Sequence, residues 1–223
     1  PQKIKSCAVP IIYDPRVSKS ILGHLAGPMS GTSVARGTSM FKELMGKQIC
    51  AANITVCDDP FLKRGLKSKY FDGEGLAPHK RALIENGVLT GWFLDLKSAR
   101  QLNLPPTGNG SRGAGSVPSP APHNLYISRG DMSPADLMAD IKDGFYVTEL
   151  MGSAVNMLTG DYSRGASGFW IKDGKLDFPV NEITIAGNLK DMWMKMRPAN
   201  DLQHRYGVDA PTMRIDGMTI AGN

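Results

Sequence analysis

Residues 80–95 read KRALIENGVLTGWFLD. Two strand-like runs, KRALIE and VLTGWFLD, flank Asn86-Gly87. That dipeptide suits a two-residue type I′ hairpin, in which both central residues need positive φ. An antiparallel pair is expected here, and the same grammar recurs outward. Asp173-Gly174 sits inside GFWIKDGKLDFPV and predicts a second hairpin. The runs NITVC (53–57), HNLYIS (123–128), FYVTEL (145–150), AVNMLT (154–159) and ITIAG (183–187) read as strands, with Asp58-Asp59-Pro60 stopping the first. PTMRIDGMTIAGN (211–223) reads as a closing pair turned at Asp216-Gly217.

Helical patterns are short. Val17, Ile21, Leu22 and Leu25 share one face in residues 16–26, and Gly27-Pro28 ends it. GTSVARGT (31–38) is dominated by Gly and small hydroxyl residues and reads as loop. Ser39 is placed to cap a helix reaching Met45. LKSARQLN (96–103) suits another, and Asn188 caps a segment running to about Arg197. Ser133-Pro134 is a helix start, a hydroxyl cap followed by proline at the first helical position. The fold class expected is α+β, predominantly antiparallel sheet, with three or four short helices. One echo stands out: Thr184-Ile185-Ala186-Gly187-Asn188 recurs as Thr219-Ile220-Ala221-Gly222-Asn223, as two equivalent strand edges of one sheet would.

Composition narrows the function classes. Hydrophobic residues are 41% and charged residues 21% of 223, which is globular rather than disordered. No apolar run is long enough to cross a membrane as a helix. The net charge of +5 is a mild excess, so direct binding of nucleic acid is not expected. Three cysteines imply no disulfide framework, and Cys7, Cys50 and Cys57 without secretory features suit the cytoplasm. The sequence starts at Pro1 without a leader pattern, and is read as one domain, residues 1–223.

No local motif carries chemistry. His24, His79, His123 and His204 are never three or four residues apart, and Cys50 and Cys57 are too widely spaced for a zinc knuckle. Neither G-x-S-x-G nor a phosphate-binding glycine loop occurs. Residues 105–122, including GNGSRGAG, read as a long surface loop with no core of its own. Lys63, Arg64, Lys67 and Lys69 cluster near Tyr70 and Phe71. Asp58, Asp59, Asp72 and Glu74 bracket them and dilute the field, so the segment reads as a solvated loop.

Two blocks carry a resemblance. KYFDGEGLAPHKRALIENGVLTGWFLDLKSARQLNL resembles the D-x-E-G … I-x-x-G-x-L … S-A-x-x-L block of the TldD/PmbA proteins. GFYVTELMGSAVNMLTGDYSRGASGFWIKDGKLDFPVNEITIAGNL resembles their C-terminal block, and the match runs from about residue 18 to 223. These proteins have been called modulators of DNA gyrase and are grouped as metallopeptidases of two domains, so the resemblance implies a C-terminal domain whose N-terminal partner domain is not in this chain. The TldD branch carries a zinc-binding H-E-x-x-x-H helix and a later cysteine ligand. Here Lys19 takes the first histidine's place, Ser20 replaces the glutamate, His24 alone remains, and no cysteine follows Cys57.

The resemblance therefore implies the PmbA branch, also called TldE. Its members are non-catalytic subunits of a heteromeric protease that processes or degrades unfolded peptides. It implies no catalytic and no metal-binding residue on this chain, zinc in a TldD-like partner, and a homo- or hetero-oligomer. Residues expected at a peptide channel or interface are His24, Arg36, Thr38, Asn109 and Arg112. The alternatives are a self-sufficient metallopeptidase with a non-local site, and a binding module acting on gyrase.

Overall fold

A computed structural model describes residues 4–222. The chain enters as β1 (Cys7–Tyr13), α1 (Pro15–Ala26) and α2 (Gly31–Ala35). A middle group follows: β2 (Val56–Asp59), β3 (Arg81–Glu85), β4 (Val88–Leu89), α3 (Leu96–Leu102), β5 (Gly110–Ser111), β6 (Ser119–Pro120), β7 (Asn124–Ile127) and α4 (Pro134–Met138). Three long strands come next, β8 (Asp143–Val155), β9 (Asp161–Lys172) and β10 (Lys175–Asn188). The chain closes with α5 (Leu189–Met194), β11 (Met196–Pro198), β12 (Val208–Asp209) and β13 (Met213–Ala221).

The class is α+β with mostly antiparallel sheet, as expected. The larger sheet has the order β1-β8-β9-β10-β13-β11, and β1 also pairs with β13. β1, β8, β9, β10 and β13 therefore close on one another as a ring, with β11 on the flank of β13. The second sheet runs β12-β7-β2-β3-β4. Only β1–β8 and β12–β7 are parallel among these pairs. One large core joins both sheets, from Ile11 and Phe145 through Val56 and Leu83 to Trp193 and Ile215.

Both hairpin turns form where the sequence puts them. Glu85 pairs with Val88 across Asn86 (φ 50°) and Gly87 (φ 80°), and Lys172 pairs with Lys175 across Asp173 (φ 46°) and Gly174 (φ 75°). The echoed segments pair with each other: Thr184 opposes Ala221, Ile185 opposes Ile220, and Ala186 opposes Thr219. The arrangement is two-fold symmetric about the two isoleucines. Asn223, last residue of the second copy, lies outside the described residues.

Several expectations are corrected. Ser39 caps no helix. Its hydroxyl donates to Pro28 O at 2.6 Å and accepts from Phe41 N at 3.0 Å, which fixes a turn instead. The segment read as loop contains α2, because Gly31 lies against α3, where a Cβ would fall 2.6 Å from Ser98 Oγ and 2.7 Å from Phe93 O. The described residues thus hold five short helices rather than three or four. Asp58-Asp59 does not stop the strand at 53–57 but belongs to β2, since tertiary donors satisfy the carboxylates. Asp216-Gly217 is a bulge within β13 rather than a turn: Val9 pairs with Met218 and Ile11 with Ile215, leaving two residues opposite Pro10.

Candidate functional site

Helix α1 carries the positions that the resemblance singles out. Asp14 caps it, accepting from Arg16 N at 3.0 Å, and Ser18, Ile21, Leu22 and Leu25 form its buried face. Lys19 lies off that face, its ammonium 3.4 Å from the Tyr206 ring centre. The Ser20 hydroxyl donates to Val17 O at 2.7 Å. His24, one turn further on, packs edge-on to Tyr162 of β9, with ring centres 6.0 Å apart.

The His24 environment is aromatic and mildly cationic. Its Nε2 is buried without a hydrogen-bond partner, as is the Tyr162 hydroxyl. Burial, and secondarily the charge of Arg164, lowers the His24 pKa, so the ring is neutral at neutral pH. Tyr13 stands nearby in the core, its hydroxyl donating to Met218 Sδ at 3.5 Å. A hollow of about 210 Å³ between Thr38 and Met157 adjoins an open groove of about 630 Å³ between Met157 and Tyr162. The structure therefore brings His24 and Thr38 to one region of the surface. Arg36 is exposed just after α2.

These residues do not fit a zinc centre. Tetrahedral zinc needs three or four N, S or O donors converging on a point. The helix offers one imidazole, an ammonium on an aromatic ring and a hydroxyl tied to the backbone. Among the described residues no three of His, Cys, Asp and Glu gather to hold a metal ion.

The loop residues lie elsewhere and divide. Asn109 is only 1% exposed. Its amide donates to Asp58 Oδ2 at 2.8 Å and to Ala121 O at 3.1 Å, and its oxygen accepts from Thr107 Oγ1 at 2.7 Å. Arg112 is exposed. Asp58, fully buried on β2, also accepts from His123 N at 2.7 Å and faces His123 Nδ1 at 3.0 Å. His123 thus carries its Nδ1 proton toward the carboxylate. Asp58 thus ties the 105–122 loop, through Asn109, and the start of β7, through His123, to β2.

The D-x-E-G stretch does the same work. Asp72 accepts from Gly110 N at 2.8 Å, from Glu74 N at 2.8 Å and from Leu76 N at 2.9 Å. Glu74 accepts from Leu96 N at 2.8 Å, at the start of α3. The acids most prominent in the resemblance are thus structural staples. Sequence reasoning missed the Asp58–Asn109–His123 cluster because Asp58 lies 51 and 65 positions from the other two members. The one available signal was a pair of aspartates inside an otherwise apolar strand.

With this geometry in hand, the kinship of the chain is plain. Residues 6–222 match the family described as PmbA/TldA metallopeptidase C-terminal domain, and the chain belongs to that family. It is 40% identical over 223 residues to the protein named metalloprotease PmbA from Escherichia coli O157:H7, covering 100% of this chain and 48% of that protein. It is 28% identical to a metalloprotease TldD homolog of Buchnera aphidicola subsp. Acyrthosiphon pisum, over 90% of this chain and 44% of the relative. The crystal structure of TldE from Thermococcus kodakarensis superposes with a TM-score of 0.90 at 27% identity, over 98% of this chain and 51% of that one. The chain spans about half the length of the curated relatives it matches.

Proposed function

We propose that this chain is the C-terminal domain of a PmbA/TldE-type subunit without catalytic activity of its own. It pairs in the cytoplasm with a zinc-bearing TldD-type protein, and the complex processes unfolded peptides. One observation carries the reading. At the two positions where the TldD motif has a ligand and a base, Lys19 is committed to Tyr206 and Ser20 to Val17 O. An ammonium at a ligand position opposes a bound cation, and neither group can activate water. The remaining His24 faces Tyr162 rather than a second donor.

The test separates subunit from enzyme. The full-length protein is purified with zinc supplied and excess removed, then assayed for metal and for cleavage of an unfolded peptide, alone and with a TldD-type protein. The reading expects a zinc ratio near zero, no cleavage alone, and cleavage by the pair. Stoichiometric zinc together with chelator-sensitive cleavage by the protein alone would sink it.

A further inference from the structure

A buried polar atom without a partner is uncommon, and each one asks for an explanation. Two of them meet in one place. His24 Nε2 and the Tyr162 hydroxyl are both enclosed and both unpartnered among the described residues. Their rings pack edge-on with centres 6.0 Å apart, and Tyr162 is only 1% exposed. The nearby Tyr13 hydroxyl is turned to Met218 Sδ instead. Burial lowers the His24 pKa and raises that of Tyr162, so both rings are neutral at neutral pH. Tyr162 donates through its hydroxyl, and a neutral His24 donates through Nε2 in one of its two tautomers.

Arg164 adds a charge. It follows Tyr162 by two positions on β9, so both side chains stand on the same face of that strand, the one that meets α1. Its Nε donates to Met151 O at 3.3 Å, and its two terminal amino groups make no hydrogen bond or ion pair among the described residues. The guanidinium charge acts on His24, Tyr13 and Tyr162 alike, and no carboxylate of the described residues acts on any of them. Asp161 stands on the opposite face of β9, where it accepts from Thr159 Oγ1 at 2.6 Å. A phenol, an imidazole and a guanidinium thus gather with no acceptor to match them. A bridging water would accept from the two rings, but it would bring two more protons and no charge. The open groove of about 630 Å³ that Tyr162 lines with Asn156 and Met157 leads to this cluster.

We infer that Tyr162, His24 and Arg164 form a binding site for a carboxylate, which reaches them along the groove between Met157 and Tyr162. A carboxylate is an acceptor only, with two oxygens and about four lone-pair directions. It satisfies both ring donors, and it supplies the charge that the guanidinium lacks. The two ring donors are enclosed within this chain, whatever covers its outer surfaces, and the site does not depend on the pairing proposed above. The carboxylate is either the free C-terminus of a peptide lying in the groove or an acidic group from elsewhere in the protein's own chain.

Two measurements on the full-length protein test the site and separate the sources. Titration calorimetry compares the pentapeptide Gly-Ser-Ala-Ser-Leu carrying a free C-terminal carboxylate with the same peptide as its C-terminal amide. A crystal structure of the protein without peptide shows what the Tyr162 hydroxyl and His24 Nε2 meet. If a peptide supplies the group, the acid should bind at least about tenfold more tightly than the amide, as a charged hydrogen-bonding group does. Y162F and R164Q should each erase most of that preference, K175Q should keep it as the control for lost charge, and circular dichroism checks folding of each. If the protein's own chain supplies the group, an Asp, Glu or terminal carboxylate oxygen should lie within hydrogen-bond distance of both atoms, and neither peptide should bind. Water or a backbone carbonyl at both atoms, with acid and amide binding equally or not at all, overturns the assignment. An acid preference that survives both Y162F and R164Q in folded protein overturns it as well.

Discussion

The Lys19 ammonium lies 3.4 Å above the centre of the Tyr206 ring. The residue that the resemblance sets at a metal-ligand position is thereby part of the packing between α1 and the segment before β12. Replacing Lys19 by Met keeps the aliphatic stem and removes the charge. The expected loss is about 0.5–1 kcal/mol, the range for a cation over an aromatic ring at an accessible site. Tyr206→Leu should cost a similar amount, and the double variant little more than either. Urea unfolding of the four chains measures this, and full additivity would show that the pair does not interact.

Asp58 is a fully buried carboxylate with three donors around it. Asn109→Ala removes one donor and should destabilise by about 1–3 kcal/mol. Asp58→Ala leaves His123 and Asn109 facing a void and should cost about 3–5 kcal/mol. Equilibrium denaturation gives both values, and equal effects would contradict the central place of Asp58.

His24 supplies a pH dependence with a definite sign. Burial first, and Arg164 second, lower its pKa in the folded state below the ordinary value of 6.5. The unfolded chain therefore binds this proton more readily, and stability rises with pH across the interval. The contribution is fully present above pH 6.5 and is lost as pH falls from there through the folded-state value. In His24→Gln the urea midpoint should fall less between pH 7.5 and pH 5.5 than in the unmodified protein. Parallel curves would remove His24 as a source.

Burial pushes the Cys50 thiol up to about 12, whereas Cys7 and Cys57 are half-buried. The thiolate is the reactive form. At pH 8 a thiol reagent should label Cys50 only after unfolding, with Cys7 and Cys57 labelled first. Mass mapping of labelled peptides reads the order directly.

Ile185 and Ile220 face each other at the centre of the echoed pair, each fully buried. Each change to Ala should cost about 2–5 kcal/mol. Because the residues are in contact, the double variant should depart from additivity by about 0.5–3 kcal/mol. A strictly additive result would mean that the two copies pack independently.

The legible parts of this fold were those decided within a few residues. Asn86-Gly87 and Asp173-Gly174 make their turns because the positive φ is a local demand. Ser133 and Asp136 form a reciprocal cap on α4 because both partners sit within one turn. Asp58 and Asp72 stayed illegible, since what makes a buried carboxylate tolerable is a donor set delivered from distant loops. The inward turn of Asp58, Asp59 and Asp72 beside the 60–71 loop was illegible for the same reason: linear order says nothing of which way a side chain points. At the candidate site, the resemblance located α1 and His24, but the engagement of Lys19 with Tyr206, 187 positions later, was beyond any sequence pattern.

The ring in which β1 pairs with β13 has a consequence in time. Residues 7–13 emerge about 200 positions ahead of 213–221, so one ladder edge of β1 has no mate until synthesis has passed residue 213. At ordinary elongation rates of ~5–20 residues per second, that edge waits roughly 10–40 s. An unmated strand edge is a template for pairing with other chains. A message broken anywhere before residue 213 therefore yields a fragment whose ring stays open and adhesive, however much of its core is present.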